Sequence, residues 1–229
     1  MRDLGNIVLH IPAREGSERV PMKNIRLMSG SPMISYSIRA ALISGVTKNI
    51  YINTDSKDII DYVKKEFDQV DVYHRRKDLA SGTATSDQFN MDIINSLKPD
   101  TLIMVNPVCP LIEASDISNA VLKYQDSECD TLITCNETQM QTFCNELPVN
   151  IRINEQLALS QENKKVKILN WAITIWDAKK FKKRFDRLGY AVMGEERLLF
   201  PIHRMRGLKV SEEADFQMCE AIISSNIKS

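Results

Sequence analysis

Three cations stand close together near the start of the chain. Arg14, Arg19 and Lys23 fall within Ile11–Ile25, IPAREGSERVPMKNI. Gly16, Ser17 and Pro21 lie among them and the cations follow no helical period, so the stretch reads as a loop. Backbone N–H groups of a Gly/Ser turn, with Arg and Lys above them, make a cradle for phosphate. The plainer alternative is a solvated basic loop. Other polar residues follow apolar runs. Asn24 and Asn106 carry amides that can read the edge of a base or ribose, and Arg75 can reach a base or a phosphate. Each position also has a structural reading. Asn24 can shape the turn after Lys23, Asn106 can cap a strand end, and Asp55 can cap the following helix.

The elements that must position these residues alternate. Ile7–Ile11 reads as a buried strand, and the cationic loop follows it. A helical pattern runs from Pro32 and Met33 to about Ser44 and ends at Gly45. Strands are expected at Asn49–Asn53, Val70–Tyr73, Thr101–Asn106 and Thr131–Cys135, and helices at Lys57–Phe67, Ser86–Leu97 and Ala114–Tyr124. Such alternation predicts a parallel sheet covered on both faces, and loops at its carboxyl edge are where such folds bind ligands. The alternation stops near Cys135. Thr138–Lys167 is polar, with Leu147-Pro148-Val149 and Ile151/Ile153 as candidate short strands. A polar insertion of that length is usually functional or an interface. Leu169–Trp176 returns as a strand, a helix starts at Ala178, and Ser211–Ser225 is a final helix with Ser211 as N-cap. With no internal repeat or Gly/Pro linker, residues 1–229 read as one domain with residues 138–167 as an arm.

Composition narrows the function class. The chain has 229 residues, with 30 basic and 30 acidic side chains and a formal net charge of +0. That balance argues against a nucleic-acid surface. Five cysteines include no C-x-x-C pair, and the contexts of Cys109, Cys129, Cys135 and Cys219 suggest buried free thiols in a reducing cytoplasm rather than disulfides or zinc. The N-terminal apolar run is too short for a signal-peptide core or a membrane span.

The string R-x-G-S-x-R-V-P-x-K-N, Arg14 to Asn24, resembles the signature loop of the cytidylyltransferases that activate acidic sugars. Ala13-Arg14, Gly16-Ser17 and Lys23-Asn24 are similar to the CMP-sialic acid (acylneuraminate) synthetase branch. The order Ser17 to Lys23 is closer to the CMP-Kdo branch. Further segments are similar in turn: Asn53-Thr54-Asp55, Arg75 to Ala80 with Thr85 and Ser86 beyond, Asn106-Pro107 to Pro110-Leu111, Asn170-Trp171-Ala172-Ile173 with Trp where Gly is usual, and Asp215-Phe216 with Glu220. The resemblance implies a three-layer α/β/α Rossmann-like nucleotidyltransferase fold with a mostly parallel sheet, and a homodimer held by the arm. It implies CTP and a sialic acid-like keto-sugar as substrates, with Mg²⁺ as cofactor. Arg14, Arg19 and Lys23 would be the catalytic phosphate clamp. Ala13, Gly16, Ser17, Asn24, Asp55, Arg75, Ser86 and Asn106 would contact the nucleotide, and Asn170 the sugar.

The resemblance breaks at the metal. The family places two aspartates, D-x-D, before its last helix, and those places hold Lys209 and Ser211 here. A further metal carboxylate of the CMP-Kdo branch corresponds to Val108. A hard cation needs oxygen ligands, and Lys repels it. Three outcomes stay open: metal held by triphosphate and water, another acid (Glu15, Asp55, Glu113, Glu195, Glu196 or Glu212) in its place, or a catalytically altered or inactive relative that still binds nucleotide or sugar. A glycosyltransferase of similar topology would want a D-x-D after a central strand, and none is found.

Overall fold

A computed structural model describes residues 1–16 and 19–225. In chain order its elements are β1 (Ile7–Pro12), β2 (Leu27–Met28), β3 (Ser31–Pro32), α1 (Met33–Ser44), β4 (Ile50–Thr54), α2 (Lys57–Glu66), β5 (Asp71–His74), α3 (Ser86–Leu97), β6 (Thr101–Val105), α4 (Ala114–Gln125), β7 (Thr131–Thr138), β8 (Phe143–Cys144), β9 (Leu147–Pro148), β10 (Val166–Asp177), α5 (Ala178–Leu188), β11 (Arg197–Pro201) and α6 (Glu213–Ser224). Seven strands form one sheet in the order β11-β7-β10-β6-β1-β4-β5.

The central strands are predominantly apolar because both faces of the sheet are covered. All five residues of β6 are buried. On one face Leu9, Ile11 and Ile52 pack against Ile34 and Ile38 of α1, Val63 of α2 and Ile117 of α4. On the other face Val8, Leu102 and Trp176 pack against Met91 and Ile94 of α3 and Phe181 of α5. The result is the expected three-layer α/β/α arrangement. A third cluster joins Met28 of β2, Met33 of α1 and Phe216 of α6 to Val20 and Val210. It ties the loop after β1 to the end of the chain. Gly45 closes α1 in the left-handed region at φ 64°, where a side chain would be strained. α3 opens with a reciprocal Thr85–Gln88 capping box.

The sheet is mostly parallel, as expected, with the returning strand β10 antiparallel to both β6 and β7. Three expectations need correction. β11, parallel to β7 at the sheet edge, had no counterpart in the sequence reading. Its residues are half-buried or exposed, so the apolar signal of a central strand is missing. Ile151 and Ile153 form no strand, whereas Leu147-Pro148 does, in a small hairpin with Phe143-Cys144. Ser211 does not cap α6. The helix starts at Glu213, and Asp215 Oδ2 accepts the N–H groups of Ser211 (2.8 Å) and Glu212 (2.9 Å).

The polar segment is continuous with the sheet. β7 and β10 extend past it as a ribbon, with Val166 opposite Thr138 and Leu169 opposite Cys135. The register then shifts between Leu169 and Thr174, and the bulge holds Trp171 at φ 59°. That is a strained conformation for a large side chain. Among the described residues no helix is long and apolar enough to cross a membrane.

Candidate active site

A cleft of about 440 Å³ opens at the carboxyl end of β1 and β6. Its cationic wall carries Arg14, Gly16, Arg19, Lys23, Arg75 and Lys209. Asn24, Ser86 and Asn106 add polar groups, and Pro12, Phe89, Met104, Pro107, Val108, Trp171 and Val192 form an apolar wall. Among the described residues five cations line the cleft and no Asp or Glu does. This is the position at which open α/β sheets bind ligands.

The cations are held by backbone and by one another's surroundings. Lys23 is half-buried and its Nζ donates to the Val210 carbonyl oxygen at 3.0 Å. Burial lowers its pKa, and the neighbouring charges of Arg19, Lys209 and Arg14 lower it further, with Asp215 opposing. A cluster of like charges of this kind is relieved by an anion. Asn24 is buried, and its amide nitrogen donates to the Arg14 carbonyl oxygen at 3.3 Å, so it ties down the loop.

Arg75 is buried behind the cationic wall. Its Nε donates to Asn53 Oδ1 at 2.8 Å, a terminal nitrogen donates to the Asn53 carbonyl oxygen at 3.1 Å, and its guanidinium lies 4.7 Å from the Phe89 ring centre. Burial pulls its pKa down to about 10, with Asp55 opposing and Arg14 assisting. His10 sits beneath it in β1, fully buried, with its ring edge-on to Phe89. Neither imidazole nitrogen has a hydrogen-bond partner among the described residues. Burial first, then the Arg75 charge, pushes its pKa down to about 3, with the Asn90 amide opposing in part.

Four sequence candidates lie elsewhere. Ala13 is in the core, with its N–H donating to the Asn53 carbonyl oxygen at 2.9 Å. Asp55 neither caps α2, whose N-cap is Ser56, nor lines the cleft. Its Oδ1 accepts the Glu15 N–H at 3.0 Å, which anchors the cationic loop from the next strand. Asn170 is buried in a network: its Oδ1 accepts from Thr134 Oγ1 (2.7 Å) and the Ala172 N–H (3.1 Å), and its Nδ2 donates to Asn136 Oδ1 (2.8 Å). A Cβ on Gly207 would come within 2.4 Å of that amide, so the close approach requires glycine. Asn170 therefore secures the bulge that turns the adjacent Trp171 into the cleft wall. Ser211 is held by its own backbone bond to Asp215. Ser17 lies outside the described residues. Lys209, which the resemblance puts at a metal place, lines the cleft, and Trp171 and Phe89 were not among the sequence's site candidates. The substitution of Trp for Gly was the visible signal for Trp171.

Among the described residues, the cleft lining lacks the carboxylates that a protein-held divalent cation prefers. Among the described residues no group of three or more His, Cys, Asp or Glu is placed to hold one. Three of the acids that could have substituted are engaged elsewhere. Glu113 pairs with Arg206, Glu195 with Arg184 and Arg187, and Asp55 with the loop backbone.

Fold and cleft together define a class: an open α/β sheet with a cation-lined mouth at its carboxyl edge. Over 97% of this chain and 100% of the other, the fold matches the structure of CMP:2-keto-3-deoxy-manno-octonic acid synthetase complexed with CTP, with a TM-score of 0.72 at 15% identity. A family profile described as Cytidylyltransferase matches residues 8–218, and the chain belongs to that family. It is 34% identical over 120 residues to the CMP-N,N'-diacetyllegionaminic acid synthase of Legionella pneumophila, covering 50% of this chain and 51% of that protein. The chain thus spans about half the length of that relative. It is 29% identical over 231 positions to the post-translational flagellin modification protein B of Campylobacter coli, covering 96% of each.

Proposed function

We propose that this chain transfers CMP from CTP to an acidic keto-sugar of the sialic acid type and releases pyrophosphate. A sugar hydroxyl oxygen forms a bond to the α-phosphorus, the bond from that phosphorus to the bridging oxygen breaks, pyrophosphate leaves, and the hydroxyl proton passes to solvent. The observation that carries the reading is a cleft at the ligand edge of the sheet lined, among the described residues, by five cations. Both substrates are anions, and family membership supports CTP as one of them. The legionaminic acid synthase among the relatives supports a sialic acid-like sugar as the other.

In this reading Arg14, Arg19 and Lys23 clamp the triphosphate and stabilise charge in the transition state. Gly16 lets the backbone approach it. Asn24 holds Arg14 in place, while Arg75, Ser86 and Asn106 face the nucleoside. The apolar wall with Trp171 shields the reacting groups from water. A thermal-shift series tests the binding half. CTP should raise the melting temperature more than the other three nucleoside triphosphates, as linkage requires. Equal shifts with all four would remove the cytidine assignment.

The chain acts as one domain, and residues 138–167 join it to a second copy. Support comes from exposed apolar side chains on that segment: Met140, Phe143, Leu147, Val149 and Ile153 are each more than half exposed. Such a patch favours burial against a partner. Light scattering at micromolar concentration should give a dimer, and Phe143→Asp with Leu147→Asp should give a monomer. A monomeric wild-type protein would end this proposal.

A further inference from the structure

We propose that Lys209 is a phosphate-binding cation standing where a protein-held divalent ion would otherwise sit, so that the cleft takes up the triphosphate without metal. The inference rests on the CTP reading and extends it to how charge is balanced.

Lys209 lines the cleft, and its charge is felt at Lys23. Its position is pinned from both sides through the next residue. The Val210 N–H donates to the Val108 carbonyl oxygen at 2.7 Å, and the Val210 carbonyl oxygen accepts from Lys23 Nζ at 3.0 Å. Val210 itself is fully buried in the cluster under α6. Three segments thus meet at one point: the cationic loop, the turn after β6 and the approach to α6. Asp215, whose charge is felt at Lys23, is already engaged, because its Oδ2 accepts two backbone N–H groups.

A divalent cation seeks carboxylate oxygens, and here it would meet fixed positive charge. A triphosphate meets the opposite situation. Its full negative charge is attracted by every cation on the wall, and a bound Mg²⁺ reduces that attraction by Coulomb's law. Metal-free CTP is therefore the better ligand of this cleft.

Calorimetric titration tests this with CTP and with inorganic tripolyphosphate, each in chelator and in millimolar Mg²⁺. The proteins are wild type, Lys209→Met and Lys209→Asp, each checked for an unchanged melting transition. Wild type should bind CTP in chelator at least as tightly as with Mg²⁺. Lys209→Met should weaken metal-free binding about tenfold, since one charged contact typically contributes on that scale. Lys209→Asp should weaken it further and bind more tightly when Mg²⁺ is added. If wild type binds either ligand only with Mg²⁺, or if Lys209→Met binds metal-free ligand like wild type, the inference is wrong. Lys209-dependent, chelator-tolerant binding of tripolyphosphate without any preference for CTP would uphold Lys209 and overturn the cytidine reading instead. No binding of either ligand overturns both.

Discussion

Lys23 Nζ and the carbonyl oxygen of Val210, 187 positions apart in sequence, are joined by a 3.0 Å hydrogen bond. This bond brings the first loop and the last helix to one cleft. It also orients an ammonium group whose pKa is already lowered by burial and by Arg19, Lys209 and Arg14. Arg19, by contrast, is exposed on the same wall. Arg19→Ala should therefore lower kcat/KM for CTP roughly a hundredfold, the cost of about 3 kcal/mol for one preorganised charge contact. Its melting temperature should barely move, because exposed substitutions are usually near neutral. Lys23→Ala should lose both rate and some stability. Wild-type turnover in both variants would end the phosphate-clamp assignment.

Asp55 should act through the loop. Its Oδ1 holds the Glu15 N–H, so Asp55→Ala releases the segment between Arg14 and Gly16. KM for CTP should rise about tenfold, in line with roughly 1.5 kcal/mol for a charge-assisted hydrogen bond. Asp55→Asn keeps an acceptor oxygen and should recover most of the loss. Equal defects in the two variants would point to direct contact of the carboxylate with substrate.

The two tryptophans should respond oppositely. Trp171 occupies a left-handed bulge position at φ 59°, a conformation glycine adopts without strain. Trp171→Gly should keep a cooperative unfolding transition near that of wild type and should change KM for the sugar more than KM for CTP. Trp176 is buried in the core, with its ring N–H donating to the Val192 carbonyl oxygen at 2.8 Å. Trp176→Ala should cost about 3–5 kcal/mol in urea unfolding. A large loss of stability in Trp171→Gly would show that the indole is a packing residue.

Acid should unfold the protein partly through His10. Its folded pKa of about 3 lies below the ordinary 6.5. Between those values the unfolded chain binds a proton that the folded chain does not, so stability falls as pH falls. The slope from this one group is about 1.4 kcal/mol per pH unit, and it vanishes above about 6.5. His10→Leu removes a titrating group whose nitrogens make no hydrogen bond among the described residues. The variant should gain on wild type progressively as pH is lowered from neutral through the mildly acidic range. Parallel stability curves would contradict the assigned pKa.

Local signals were legible in the sequence. The helix Ser86–Leu97 is observed with the bounds its pattern predicts, because the Thr85–Gln88 capping box and the apolar spacing agree. The cationic loop was legible because Arg14, Arg19 and Lys23 are close in sequence. Roles set by distant partners were not. Asp55 meets Glu15 across 40 positions, and Asn170 meets Thr134 and Asn136 across 36 and 34. Both amide and carboxylate looked like ligand contacts because nothing local shows that their oxygens are already engaged. The direction of β10 and the existence of β11 were hidden for the same reason, since both depend on pairing with β7.

The most direct test is turnover. Purified protein is incubated with CTP and, in separate reactions, N-acetylneuraminate, a legionaminic acid, a pseudaminic acid and Kdo, with and without Mg²⁺, and pyrophosphate release is followed by phosphorus NMR. The account predicts pyrophosphate and a new CMP-sugar phosphodiester signal with at least one nine-carbon acid, dependent on Arg19. CTP left intact with every acid, under both metal conditions, would contradict it.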